Sequence, residues 1–253
     1  MNILNYYWRL IATAISFLCF GLGGLLMPLI VWPVKLFTRD SGQLERRIKW
    51  MIHKSFYLFM RLMRGLGVCT FEVDGAEKLD REGLLILANH PTLIDVVFLI
   101  SMLPRADCVV KSALLKNPFT RGPISAGRYI ANDNAEDTIV SAKASLDRGN
   151  NLIVFPEGTR TQVGKAMKLQ RGAANIAVRT ANNITPVIIK CSPSTLTKQE
   201  SWYNIPPRRF HISISVRDDI EIAPYLESVP SVAARELSKN LTDYFEKEII
   251  RDE

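Results

Sequence analysis

Residues 89–95 read Asn89-His90-Pro91-Thr92-Leu93-Ile94-Asp95 and directly follow the apolar run Gly-Leu-Leu-Ile-Leu-Ala. A carboxylate five residues after a histidine, across a strand-to-helix turn, can reach back to one imidazole nitrogen. It then fixes the tautomer and leaves the other nitrogen free to take a proton. With an ordinary pKa of about 6.5, imidazole is suited to accept a proton from a hydroxyl near neutrality. His90 is therefore a candidate general base and Asp95 its orienting partner; a histidine capping the turn beside an aspartate at a helix start is the plainer alternative. A second turn, Phe155-Pro156-Glu157-Gly158-Thr159-Arg160, follows the apolar run Asn-Leu-Ile-Val and begins 65 residues after His90. Glycine beside a hydroxyl and a guanidinium makes a compact anion-binding corner, because Arg160 can grip a phosphate with a forked pair of hydrogen bonds. A tight turn carrying a surface ion pair between Glu157 and Arg160 is the plainer alternative here.

Taken together, the two turns resemble the glycerolipid acyltransferases of the lysophosphatidate acyltransferase type. That family's hallmark is a His and an Asp separated by four residues, followed downstream by Phe-Pro-Glu-Gly-Thr/Ser-Arg. The resemblance runs over residues 71–187 and takes in Lys111-Ser112-Ala113-Leu114-Leu115, Pro118, Gly122 and Thr185-Pro186-Val187. It implies acyl transfer from acyl-CoA or acyl carrier protein to a hydroxyl of a lysolipid acceptor, with no resident cofactor and no metal. It also implies that His90 acts as general base with Asp95 orienting it, and that the acceptor oxygen attacks the thioester directly, without an acyl-enzyme. Glu157, Gly158 and Arg160 would hold the acceptor's phosphate or headgroup, with Thr159 assisting and Arg128 and Lys111 as further substrate-binding residues. One block departs from the family. Where the family reads an acidic residue followed by Arg, this chain reads Gly127-Arg128-Tyr129-Ile130-Ala131-Asn132-Asp133, with Asp133 at the arginine position. One phosphate ligand is thereby missing, so amino-acid lipids and other hydroxylated lipids stay open as acceptors beside lysophosphatidate. A lipid-binding protein that keeps the fold without catalysis is the alternative from a different class.

Several elements must position these turns. Short apolar runs at 69–73, 84–88, 108–110, 152–155, 185–190 and 210–216 read as strands, the last alternating Ile212, Ile214 and Val216 with polar neighbours. Residues 95–102, 135–146, 172–180 and 232–250 read as helices, the last capped by Ser231. Such alternation predicts an α/β fold with a mixed, largely parallel sheet flanked by helices, and the resemblance makes it glycerol-3-phosphate acyltransferase-like. His211 and the Trp202-Tyr203 pair read as structural, and His53 needs no special role.

Ahead of these elements lie residues 10–34, which carry no charge in 25 positions. A helix of about 20 residues suffices to cross a bilayer, so this segment predicts a membrane-inserted helix, spanning or, because Gly21, Gly23, Gly24 and Pro28 fall mid-run, bent back as a hairpin. Residues 44–66 predict a second, basic amphipathic helix, lying in the headgroup plane or packed on the domain behind it.

The formal charge of +7 is local. Residues 1–71 hold nine basic groups against Asp40 and Glu45, which accounts for the whole excess, and the remainder of the chain nets to zero. Cations concentrated beside an apolar segment suit a membrane and argue against a nucleic-acid partner. They are heavier after the segment than before it, which predicts an inner-membrane protein with its bulk on the cytoplasmic side. Four scattered cysteines, none paired at metal-ligand spacing, fit a reducing compartment. The chain thus divides into a membrane anchor with its amphipathic helix, 1–70, and an acyltransferase domain, 71–253.

Overall fold

A computed structural model describes residues 3–161 and 166–251. The first and last residues of the anchor and domain ranges, 1, 2, 252 and 253, lie outside them. Two long helices lead, α1 (Ile3–Phe37) and α2 (Ser41–Gly65). There follow β1 (Cys69–Asp74), β2 (Leu85–Ala88), α3 (Asp95–Met102), β3 (Ala106–Val110), α4 (Pro118–Gly127) and β4 (Ile130–Ala131). The chain closes with α5 (Ala135–Asp147), β5 (Asn151–Val154), α6 (Arg171–Thr180), β6 (Ile184–Ser192), β7 (Phe210–Val216) and α7 (Pro230–Arg251).

Among the described residues the sheet runs β1-β7-β6-β2-β5-β3-β4. The five strands from β6 to β4 are mutually parallel, while β7 pairs antiparallel to β6 and carries β1 parallel to itself. The sheet is therefore mixed and largely parallel. All four residues of β2 are buried, because alternate side chains enter different cores. Ile86 and Ala88 join the cluster under α2 and α3, whereas Leu85 and Leu87 join the one under α5, α6 and α7.

Three elements differ from expectation. Helix α4 was not foreseen, since Pro118, Gly122, Pro123 and Gly127 make a poor helix on propensity. It forms because the Asn117 side chain caps Phe119 N at 3.0 Å and because tertiary packing overrides propensity. Strand β4 has only two residues, too few for a periodic signal. Helix α7 starts at Pro230, which suits the first helical position, so Ser231 lies inside the helix rather than capping it.

Helix α1 is continuous through the glycines and Pro28, so no hairpin forms. It is long and apolar enough to cross a membrane by length and composition. Yet one stripe of it rests on the rest of the molecule from end to end. Trp8 Nε1 donates to Leu66 O at 3.0 Å, Phe17 meets Trp202 and Phe20 meets Phe56. Farther along, α1 and α4 cross with backbone almost touching backbone. A Cβ on Gly24 would lie 1.8 Å from the Phe119 carbonyl oxygen, and one on Gly122 2.0 Å from that of Gly24. Ala12, Met27 and Val31 of α1 share one apolar cluster with sheet residues, so the core runs unbroken across residue 70.

Helix α2 buries Ile48, Ile52, Phe56, Met60 and Met63 against α3 and the sheet, with His53 Nδ1 at 3.0 Å from Ile100 O. Its outer face presents Arg46, Arg47, Trp50, Lys54, Tyr57, Arg61 and Arg64. Lys49 is buried on the inner face, 2.5 Å from Asp107 and 3.1 Å from Glu45.

Candidate functional site

Strand β2 ends at Ala88, and the Asn89 side chain continues its pairing with β6. Asn89 Nδ2 donates to Ile189 O and Ile189 N donates to Asn89 Oδ1, both at 2.7 Å. This amide bridge fixes where the chain leaves the sheet. Beyond Pro91, helix α3 opens with Asp95, whose fully buried carboxylate is held on several sides. Thr92 N donates to Oδ2 at 2.7 Å and Thr92 Oγ1 to Oδ1 at 2.5 Å. Oδ2 also lies 2.8 Å from His90 Nδ1. In the neutral tautomer that donates Nδ1–H to this carboxylate, Nε2 is the acceptor nitrogen, and among the described residues it has no partner. The Phe155 ring stacks on the imidazole with centroids 4.3 Å apart, fixing its plane.

The second turn clamps the first. Glu157 Oε1 accepts from Thr161 Oγ1 at 2.6 Å and from His90 N at 3.1 Å, while Thr161 N donates to His90 O at 2.7 Å. Burial pushes the Glu157 carboxyl up, against the hydrogen bonds from Thr161 and His90 that pull it down. Gly158 adopts φ +64°, the left-handed region that favours glycine, and its N–H is used by Phe155 O. No Glu157–Arg160 ion pair forms. Instead Arg160 Nη1 donates to Leu196 O at 2.9 Å and to Thr197 O at 2.7 Å, and Leu93 N donates to the same Leu196 O at 3.1 Å. The connection 193–209 between β6 and β7 is thus tied to both turns. Its far end is tied to α1, where Arg9, only 4% exposed, donates to Pro206 O at 2.7 Å and Pro207 O at 3.0 Å.

His90, Asp95, Glu157 and Arg160 therefore gather into one bonded cluster. Gly158 and Thr159 lie on the same turn. Lys111 and Arg128 are exposed and, among the described residues, make no hydrogen bond or ion pair with that cluster; Lys111 follows β3 at the same end of the sheet, and Arg128 caps α4 with φ +55°. Asp133 is exposed just past β4. Sequence reasoning did not single out Thr92 or Thr161. A hydroxyl four residues after Glu157 is the signal that would have found Thr161.

Burial pushes the thiols of Cys69, Cys108 and Cys191 up to about 12, with the Asp95 charge adding to the effect at Cys191. No group of three or more His, Cys, Asp or Glu suited to a metal occurs among the described residues.

Residues 70–190, a span that holds both turns, match the acyltransferase family model. The 1-acyl-sn-glycerol-3-phosphate acyltransferase of Pseudomonas aeruginosa is 27% identical over 164 residues, covering 62% of this chain and 64% of that protein. The enzyme of the same name from Saccharomyces cerevisiae is 27% identical over 165 residues, 62% of this chain and 54% of that one. The chain thus spans between 54% and 64% of the length of these relatives. The crystal structure of the 1-acyl-sn-glycerophosphate acyltransferase PlsC from Thermotoga maritima superposes with a TM-score of 0.74, covering 96% of each chain at 19% identity. That likeness shows the fold, and the family match covers the segment that carries both turns. It is over residues 70–190 that this chain is similar to the acyltransferase family.

Proposed function

We propose that the protein is a membrane-bound O-acyltransferase that moves an acyl chain from acyl-CoA or acyl carrier protein to a hydroxyl of a lysophospholipid-type acceptor. The observation that carries this reading is the imidazole of His90, oriented through Nδ1 by a buried carboxylate and left with Nε2 free at the carboxyl end of β2. Nε2 takes the acceptor's hydroxyl proton as that oxygen bonds to the thioester carbonyl carbon. The tetrahedral adduct collapses, the C–S bond breaks, and the imidazolium returns the proton to the departing thiolate. Asp95 stabilises the imidazolium while it exists. Because a thioester is already activated, the donor is a co-substrate and no resident cofactor is required. Direct transfer is in keeping with the burial that pushes the Cys69, Cys108 and Cys191 thiols up and holds them in the protonated, less nucleophilic form.

Arg160 keeps one terminal nitrogen on the 196–197 carbonyls, so its remaining nitrogens, with Thr159, Lys111 and Arg128, are the groups offered to the acceptor's headgroup. Glu157 and Gly158 serve the site by holding the turn. Asp133, where the family reads Arg, favours a second reading of the acceptor as a lipid without a phosphate monoester. In this reading residues 1–70 anchor the protein and residues 71–253 carry the chemistry, and the excess of cations after α1 supports a cytoplasmic position for that domain at the inner membrane.

The test is turnover by the purified full chain, with acyl-CoA and acyl carrier protein as donors, across lysophosphatidate, lysophospholipids and lyso-amino-acid lipids. Thioester consumption with one acceptor class, abolished by His90→Ala, is expected. Binding of lipid without turnover, unaffected by His90→Ala, would sink the enzymatic reading in favour of a lipid-binding protein.

A further inference from the structure

At the opposite end of the strands from His90 lies a concavity of about 320 Å³, lined by Arg46, Arg47, Trp50, Pro104 and Arg105. Strand polarity separates the two places. His90 follows the carboxyl end of β2, whereas Arg105 precedes the amino end of the parallel strand β3.

The cations here outnumber their partners. Arg46 makes no hydrogen bond or ion pair with the described residues, and Arg47 uses only Nη1, on Thr38 Oγ1 at 2.9 Å. Arg105 places Nη1 on Glu82 at 2.6 Å and Nη2 on Arg148 O at 2.6 Å, but its Nε is buried without a partner. Nearby Glu45 is occupied by Lys49, Arg148 and Asn150. One carboxylate therefore answers three guanidinium groups, beside an indole that is 52% exposed.

We propose that this cradle binds the phosphate-bearing headgroup of an anionic phospholipid, as a site separate from the two turns that hold His90 and Arg160. Guanidinium forks match phosphate oxygens, and indole favours the boundary between headgroup and acyl chain. The surroundings select a membrane lipid. Three residues before α2, helix α1 ends in exposed Trp32, Leu36 and Phe37, the last 85% exposed, so acyl chains beside α1 bring a headgroup to Arg46 and Arg47. From Trp50 the same face of α2 continues as Lys54, Tyr57 and Arg61, with Lys54 Nζ 5.7 Å and 5.5 Å from the Trp50 and Tyr57 ring centroids. An alternation of cations and aromatics along one exposed stripe complements a negatively charged plane. The site does not depend on the acyl-transfer reading.

The experiment measures binding of the full chain to phosphatidylcholine vesicles with and without phosphatidylglycerol. It compares wild type, the Arg46→Gln/Arg47→Gln double variant, and a Lys54→Gln/Arg61→Gln control that removes equal charge outside the cradle. Each cation near an anionic surface is worth roughly fivefold in affinity. The cradle variant is expected to lose well over thirtyfold of the preference for anionic vesicles, and the control no more than roughly that. Equal losses in both variants would mean diffuse surface charge and would overturn the site. So would suppression of the preference by millimolar inorganic phosphate, or loss of acyl carrier protein binding in the cradle variant with vesicle binding intact. His90→Ala should leave the lipid preference unchanged, which keeps this outcome distinct from failure of the catalytic reading. Unchanged thermal melting of both double variants confirms that the comparison is between folded proteins.

Discussion

At the scale of single residues, His90 and Asp95 were legible because a strand end followed by a turn and a helix start leaves little freedom in where a carboxylate five positions on can point. Asp95→Asn tests the pair with minimal change of shape. The amide can present its oxygen to His90 Nδ1 but carries no charge to stabilise an imidazolium, so kcat should fall roughly a hundred- to ten-thousandfold with little change in acceptor KM. Steady-state kinetics decide it, and retained activity would remove Asp95 from the mechanism. Glu157 and Arg160 were legible as important but not in their roles. Spacing shows that a carboxylate and a guanidinium share a turn; which partners they choose depends on elements far along the chain, His90 N for one and the 196–197 carbonyls for the other. Because burial raises the Glu157 carboxyl, the folded state binds its proton at pH values where the unfolded chain has released it. This group's contribution to stability is therefore full below the ordinary carboxylate range and is lost as pH rises through the folded value. Glu157→Gln, which can still accept from Thr161 and His90, should flatten that part of the pH–stability curve and keep the neutral-pH melting temperature. Glu157→Ala should lose about 1–3 kcal/mol and most activity. Thermal melts from pH 4 to 8 with parallel assays separate the two variants, and a curve unchanged in Glu157→Gln would refute the linkage.

At the scale of elements, the strands other than β4 and the helices α3, α5, α6 and α7 are legible from apolar periodicity, with boundaries shifted by a few residues. Helix α4 was not, because its stability comes from Asn117 and from the surface of α1 rather than from its own composition. That dependence is testable. Gly24→Ala places a methyl group where the Phe119 carbonyl oxygen lies, an atom that cannot move away without shifting α4. The substitution should cost about 1–3 kcal/mol, whereas Gly23→Ala, with nothing within 4 Å, should not destabilise. Denaturant unfolding compares them, and equal stabilities would mean the crossing is looser than described. The connection 193–209 carries no periodic signal in the sequence, yet it ties α1 to the two turns through Arg9 and Arg160. In Arg9→Leu the half-buried carbonyl of Pro206 and the exposed one of Pro207 lose their shared donor, at about 1–3 kcal/mol in total. If the connection positions the turn below it, Arg9→Leu should also lower kcat on a soluble short-chain acceptor, for which membrane attachment is irrelevant. Loss of stability with kcat intact would confine Arg9 to packing.

For the whole molecule, the apolar segment and the local charge excess announced a membrane, but hydropathy carries no information on whether a helix passes through a bilayer or lies along it. The structure supplies a constraint. Trp8, Arg9, Phe17, Phe20, Gly24 and Val31 touch the rest of the molecule over nearly the full length of α1, while Leu4, Ile11, Leu18, Leu22, Leu26 and Leu29 on the opposite side are exposed. A helix that crosses a ~30 Å hydrocarbon core perpendicular to its plane would carry exposed charges of the body docked along it, Lys54 and Arg61 of α2 among them, into lipid, where charged groups are costly. We therefore expect α1 to embed side-on in one leaflet, apolar face outward, with both ends of the chain on the same side of the membrane. An epitope placed before residue 1 and another after residue 253 should then be digested together by protease added to inside-out membrane vesicles, and both should be protected in right-side-out vesicles. Opposite protection of the two epitopes would establish a spanning helix and require α1 to leave its groove. The same docking predicts the fate of a chain lacking residues 1–40. Removing Ala12, Met27 and Val31 opens the apolar cluster that α2 and the sheet share with α1, so truncation should yield a destabilised protein that still partitions to membranes through α2, rather than a soluble enzyme. A monodisperse, fully active soluble fragment would show that the anchor contributes nothing to the fold.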